Sequence, residues 1–236
     1  GFLMANCPEY VFCEHAIAKI GCTRVPLAVL LSPDDHVYML NQSECTALIY
    51  HEKMASRIEG MIPRLETVKT YICVSDDASS VPEGHHHMQT LMNTHEPSGF
   101  KADNDPEDLL GIYYTGGTTG KPKGVMLSHA NIHANIEGIY QVIKLRKEDV
   151  VLGILPFFHS FGVTGTRWLP VTTGMGVAYH SNPLDFKRVG EMAQQHSASL
   201  LTATPTFLSG YIRKCTPEQF ASLRLVIVGA EKLKQR

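Results

Sequence analysis

Twelve residues, Tyr113 to Gly124, read YYTGGTTGKPKG and continue the apolar run DLLGIY. A turn needs one or two glycines or hydroxyls, whereas this stretch concentrates them. The hydroxyls of Thr115, Thr118 and Thr119 suit an anion. So do the backbone amides left open by Gly116, Gly117 and Gly120, and the ammonium of Lys123. Glycine lets successive amides converge without side-chain obstruction, and such a nest favours phosphate. A plain hairpin loop is the other reading. It is set aside because the sequence beyond the loop offers no evident partner strand for the buried run before it.

Two common phosphate loops are excluded by spacing. The NTPase loop needs G-x-x-x-x-G-K-[ST]. Here Gly120-Lys121 is followed by Pro122, and Thr115 stands in the place of the first glycine. The dinucleotide fingerprint G-x-G-x-x-G fails as well, since Gly174-Met175-Gly176 is followed by Tyr179 in the last place.

A second candidate is the run HHH, His85 to His87, with His95 nearby. Adjacent histidines cannot all turn to one ion without strain. The run is therefore read as a solvated loop and not as a metal site. His159, in LPFFHSFG, stands where a strand is expected to end. It is either a core histidine or a group at the mouth of an apolar pocket.

These residues must be held by elements, and the elements alternate. Helices are expected over NCPEYVFCEHAIAKIG, PDDHVYMLNQSE, EKMASRIEGMI, SHANIHANIEGIYQVI and PLDFKRVGEMAQQH. Strands are expected over VPLAVLL, TALIYH, TYICVS, LLGIYYT, DVVLGILP, GMGVAYH, SLLTATP and LRLVIVG. Strands that are apolar throughout, set between helices, imply mostly parallel sheets covered on both faces. The fold class is α/β. The start, GFLMANCPEY, reads like the end of a strand. Residues 1–75 form a first α/β part, 76–108 a polar connecting segment with a short helix around HMQTLMN, and 109–236 the part carrying the loop.

Bulk properties narrow the classes. The chain has 236 residues, 44% hydrophobic and 19% charged, with a formal net charge of −2. A near-neutral chain offers no basic stripe, which argues against nucleic-acid binding. The six cysteines form no CxxC pair and suit a reducing cytosol. No apolar run approaches the roughly 18 residues of a membrane span. Membrane association and self-association stay open.

The whole stretch YYTGGTTGKPKGVMLSH closely resembles the signature loop of the adenylate-forming superfamily, Y-[ST]-[SG]-G-[ST]-T-G-x-P-K-G. That group includes acyl-CoA synthetases, aryl-CoA ligases, adenylation domains of peptide synthetases and beetle luciferases. LPFFHSFG, TATPTFL and LRLVIVGAEKL follow in the family's order, so the resemblance covers essentially the whole chain. Gly116 replaces the Ser or Thr of many relatives, a form also found in fatty acyl members.

The resemblance implies helix-flanked sheets of an adenylate-forming N-terminal domain, incomplete at Arg236. It implies that a carboxylic acid, by preference a fatty acid, reacts with ATP to give acyl-AMP and pyrophosphate. A thiol of CoA or acyl carrier protein then takes the acyl group. Thr115, Gly116, Gly117, Thr118, Thr119, Gly120 and Lys123 would hold phosphates, with Thr115 also touching Mg2+. His159 would lie beside the reacting carboxylate, and Gly229, Ala230 and Glu231 would border the adenine and acyl pockets. Lys121 is expected to be a solvated loop charge.

The family's later Tyr-Gly-x-Thr-Glu segment, ribose-binding Asp and mobile C-terminal domain with its catalytic Lys are not in the sequence. The chain alone is therefore expected to be inactive. A nucleotide-binding module without catalysis, and adenylation of an aryl or amino acid, remain the alternatives.

Overall fold

Apolar runs between helical segments become two parallel sheets and one hairpin in the computed structural model, which describes residues 1–97, 99–100, 102–116 and 120–233. Two compact units divide the chain, Gly1–Asn131 and Ile132–Arg236.

In the first unit, β1 (Phe2–Leu3) leads to α1 (Pro8–Lys19), whose first position is filled by Pro8. Proline is tolerated there because its missing N–H has no helical partner anyway. α2 (Pro33–Gln42) also starts on a proline, and the Ser32 hydroxyl accepts from the Asp35 amide at 3.1 Å. β2 (Ala47–His51), α3 (Ala55–Met61), β3 (Thr70–Val74), β4 (His86–His87) and α4 (Met88–Thr94) follow. The strands pair in parallel in the order β1-β2-β3-β4. Leu40, Leu48, Tyr50, Ile58, Met61 and Cys73 are fully buried beneath them.

Three expectations are corrected here. The run VPLAVLL is not a strand. Pro26 has no N–H for a ladder, so the segment makes one parallel bridge to Phe2 and, through Arg24, one to Gly111, then turns at Ala28–Leu31. The loop does have a partner strand: β5 (Leu109–Thr115) pairs antiparallel with β6 (Lys123–Ser128). The sequence hid β6 because its alternation is weak and its apolar residues Val125 and Met126 are exposed. The histidine run is no solvated loop either. His86 and His87 form the edge strand β4, and the His85 ring stacks on Tyr71 with Nδ1 2.6 Å from the Tyr50 hydroxyl. Among the described residues, no group of three or more His, Cys, Asp or Glu side chains could hold a metal.

α5 (His129–Val142) continues into the second unit, which begins at Ile132. Its sheet joins β7 (Val150–Gly153), β8 (Gly176–Tyr179), β9 (Leu200–Ala203) and β10 (Leu225–Val228), all parallel, in the order β10-β9-β7-β8. Between β7 and β8 run α6 (Ser160–Gly162), a π-helical segment (Val163–Trp168) and α7 (Leu169–Thr173). The helices α8 (Phe186–Gln195) and α9 (Pro205–Lys214) make the remaining crossovers. No helix among the described residues is long and apolar enough to cross a membrane.

The amino ends of these strands are latched together. The Asp149 carboxylate, 3% exposed, accepts from the Ser199 hydroxyl at 2.7 Å, the Arg146 amide at 2.8 Å and Arg224 Nε at 2.7 Å. From β7 the chain goes first to one side, to β8, and then to the other, to β9 and β10. Such a reversal of strand order leaves a crevice at the carboxyl ends, where open α/β sheets bind ligands.

Candidate functional site

The loop is anchored at both ends. β5 delivers Thr115 and β6 begins at Lys123, and the two are a registered pair. The Thr115 hydroxyl lies 3.5 Å from the Lys123 carbonyl, and both residues are exposed. The strand before them is pinned. Arg24 Nε donates to the Tyr113 hydroxyl at 2.8 Å, and the Tyr114 hydroxyl lies 2.9 Å from Gln42 Oε1 and 3.1 Å from the Met39 carbonyl. Gly116 is exposed, and Gly120 has φ +147°, a conformation that L side chains rarely adopt. Gly117, Thr118 and Thr119 lie outside the described residues. Lys121 is exposed as expected but is not simply solvated, since its ammonium sits 4.9 Å from the Tyr38 ring centroid.

The other expected residues lie in the second unit, in the segments that follow β7 and β10. His159 does not stand at a strand end. β7 stops at Gly153, and Pro156 and a tight turn separate it from His159, which is exposed and caps α6. Its Nδ1 accepts from the Phe161 amide at 3.3 Å, so in the neutral ring Nε2 carries the proton. The turn requires Gly162, because a Cβ there would lie 2.1 Å from the Pro156 carbonyl oxygen.

Beyond β10, the Gly229 amide donates to the Ala203 carbonyl at 3.2 Å. Ala230 then takes φ +66°, left-handed for a residue with a Cβ. Strain of this kind costs about 1–2 kcal/mol and gathers at functional sites. The Glu231 carboxylate is next, accepting from the Thr206 hydroxyl at 2.6 Å. The end of β10 is thereby tied to the first turn of α9.

A cleft of about 420 Å³ opens among α5, the π-helical segment and the strands β9 and β10. Apolar Ile139, Ile143, Phe161, Leu169 and Ile227 line it together with polar Asn135, Ser160 and Thr164, and Gly165 and Thr202 form part of its floor. A Cβ on Gly165 would approach Thr202 Cγ2 to 3.2 Å, so this glycine keeps the floor open.

The sequence pattern described as AMP-binding enzyme matches residues 1–236. The chain belongs to the AMP-binding enzyme family. 4-coumarate–CoA ligase 1 of Solanum tuberosum is 24% identical over 98% of this chain and 42% of its own length. Crotonobetaine/carnitine–CoA ligase of Salmonella arizonae is 30% identical over 65% of the chain and 30% of its own. The chain thus spans well under half the length of these curated relatives. Among solved structures, the anthranilate CoA ligase AuaEII in complex with anthranoyl-AMP superimposes with a TM-score of 0.89, at 22% identity, over 98% of this chain and 45% of that one. ATP-bound MatB from Rhodopseudomonas palustris gives 0.82 at 20% identity, over 97% and 44%.

In this AMP-binding chain the structure groups the expected residues in two sets, Thr115, Gly116, Gly120 and Lys123 in the first unit and His159, Gly229, Ala230 and Glu231 in the second. Sequence reasoning missed Thr202, Thr206 and the π-helical turn. Thr206 could have been found, because it follows Pro205 in the turn TATPTFL. Thr202 reads only as one more residue of an apolar strand.

Proposed function

We propose that the full-length protein activates a carboxylic acid with ATP and passes the acyl group to a thiol. The carboxylate oxygen attacks the α-phosphorus of ATP, the bond to the β-phosphate oxygen breaks, and pyrophosphate leaves. The thiol sulfur of CoA, or of an acyl carrier protein, then attacks the acyl carbon, and AMP departs with the electron pair of the broken C–O bond.

The observation that carries this reading is the pairing of Thr115 with Lys123 at the neck of a glycine-rich loop. A hydroxyl, open amides and an ammonium answer the charge that collects on departing phosphates, and one such donor lowers the barrier by about 3 kcal/mol. Among the described residues nothing lies within 4 Å of a Cβ position at Gly116 or Gly120, so the space beside their backbone is open. The exposed Thr115 hydroxyl suits Mg2+, which usually takes one or two protein oxygens and completes its shell with phosphates and water. When bound, the ion would neutralise phosphate charge.

The acid belongs in the cleft below Phe161, with His159 beside it, and Gly229 to Glu231 border the nucleotide. The cleft's apolar walls favour a fatty acid. An aromatic acid is the second reading, favoured by the Phe161 ring at the cleft and by relatives that are coumarate and anthranilate ligases.

The test is carboxylate-dependent exchange of labelled pyrophosphate into ATP by the full-length protein, followed by AMP release on adding CoA. An ATP-binding protein that no acid stimulates to exchange is a nucleotide-binding module, and the proposal fails.

A further inference from the structure

The first unit contains a cavity that acid activation does not use. Phe2 of β1 lies between Pro26 on one side and Ile49 of β2 on the other, and the chain visits Pro26 first. This sheet therefore also reverses direction at β1, and open α/β sheets bind ligands at the carboxyl ends beside such a point. A cavity of about 220 Å³ lies at those ends, where His51 and Val74 are the last registered pair of β2 and β3. The helix α1, which follows β1, and the helix α4 supply the rest of its lining.

That lining mixes two chemistries. Phe12, Val74, Met88 and Met92 are apolar, and Phe12 and Met92 are 57% and 54% exposed, so the apolar surface is open to a ligand. Glu9 and Asp76 bring carboxylates, and among the described residues no lysine or arginine lines the cavity. Neither carboxylate belongs to an ion pair formed among those residues. The other polar groups of the lining are committed in ways that leave acceptors. The Ser75 hydroxyl donates to Glu52 at 2.6 Å, and the Ser75 carbonyl lies 2.9 Å from His87 Nε2. Gln89 Nε2 donates to Asn93 Oδ1 at 2.9 Å, which leaves Gln89 Oε1 as an acceptor. His51 Nδ1 accepts from the Lys53 amide at 3.2 Å, so in the neutral ring Nε2–H is its donor. Acceptors outnumber donors, and the charge is negative.

We propose that this cavity binds a small primary amine with an apolar body. An ammonium has three N–H donors and no acceptor, which matches Glu9, Asp76 and Gln89. Phe12, Met88 and Met92 take the hydrocarbon, the methionines because a flexible thioether adapts to the shape it meets. The Phe12 ring adds the attraction of an aromatic face for a cation. Such amines are protonated near pH 7, as lysine is. The inference goes beyond acid activation and does not rest on it, since it uses no residue assigned to the acid or to ATP.

The experiment titrates the full-length protein with hexylamine and with 2-phenylethylamine, followed by calorimetry near neutral pH. 1-Hexanol and 2-phenylethanol keep the body and lose the charge, and methylamine keeps the charge and loses the body. The expected result is one site for at least one amine, with a Kd of about 1 mM or below, and binding of its alcohol and of methylamine about tenfold weaker or more. Asp76→Asn and Glu9→Gln should each weaken the amine about two- to fivefold, as for an exposed ion pair, and leave the alcohol unchanged. The double variant should lose the preference for amine over alcohol, while Phe12→Ala weakens both. Melting temperatures without ligand check the fold, and if Glu9→Gln melts lower, the exposed Asp76→Asn carries the test. Absence of amine binding, equal binding of the alcohol, or an affinity indifferent to Asp76→Asn overturns the inference. Pyrophosphate exchange plays no part in the readout, so either reading can fall while the other stands.

Discussion

Thr115 and Lys123 face each other as the last registered pair of the β5–β6 hairpin, with the glycine-rich loop hung between them. Eight residues apart in sequence, a hydroxyl and an ammonium reach the same edge because the strands on either side are paired. The loop is thus both a hairpin loop and a candidate phosphate grip, two readings that the sequence sets against each other.

The two lysines of the loop should separate in activity. Lys123→Ala in the full-length protein should slow exchange about a hundredfold, the loss expected of a donor that meets developing charge. Lys121 stacks on Tyr38 at an exposed position, where such a contact is worth about 0.5–1 kcal/mol. Lys121→Ala should therefore change the KM for ATP less than tenfold and leave kcat near its parent value. Exchange rates across an ATP titration decide it, and equal falls in both variants would mean that the lysines act only as a general field.

What the sequence made legible was whatever depends on local pattern. Long apolar runs such as VVLG and LLTA gave β7 and β9, and Pro33 after Ser32 gave the start of α2. What it hid depends on distant partners. β6 shows its strand character only against β5, and Pro26 turns an apolar run into two single bridges. His85 looks solvated until Tyr50 and Tyr71 are brought beside it from other strands. Within the site the glycines and Lys123 could be picked from spacing, while Thr202 is distinguished only by the partner it lacks.

The latch at Asp149 gives an acid limb to stability. Arg224 first, then Ser199 and the Arg146 amide, hold its carboxyl at a pKa of about 2. The unfolded value is near 3.9, so the folded state binds this proton less tightly. Its contribution is complete above about pH 4 and is lost as pH falls toward 2. Arg224→Ala should lower stability by about 1–3 kcal/mol at neutral pH. The gap between parent and variant should close between about pH 4 and pH 2, as the carboxyl protonates in both. Denaturant melts at several pH values test this, and a gap independent of pH would assign the loss to packing.

Gly162 and Gly138 should respond oppositely to alanine. At Gly162 a Cβ would lie 2.1 Å from a backbone oxygen of Pro156, which cannot swing aside. Overpacking of this kind costs about 1–3 kcal/mol, and the turn that carries His159 would shift with it. Gly138 lies within α5 with nothing within 4 Å of its Cβ position. Gly138→Ala should gain up to about 1 kcal/mol of helix propensity. Melting temperatures of the two variants give the comparison, and a harmless Gly162→Ala would mean that the turn can open.

The proposed reading has His159 contact the acid and not the triphosphate. Its Nδ1 is engaged by the Phe161 amide, which leaves Nε2–H as the group it can present. Phe161 and Ser160, the next two residues, line the cleft where the acid is proposed to lie. An Nε2–H donor beside a carboxylate can orient the attacking oxygen, and the orientation is fixed by the cap on Nδ1. His159→Ala should raise the KM for the acid or lower kcat, with ATP affinity nearly unchanged. If the contact is made only in the transition state, kcat and kcat/KM fall together. His159→Asn keeps a short polar side chain that can still cap α6, since asparagine is a favoured cap residue. A loss in Ala that Asn restores would come from the turn, and a loss common to both would come from Nε2. Titrating ATP without acid against all three proteins completes the test. Weakened ATP binding with unaltered dependence on the acid would move His159 out of the acid site.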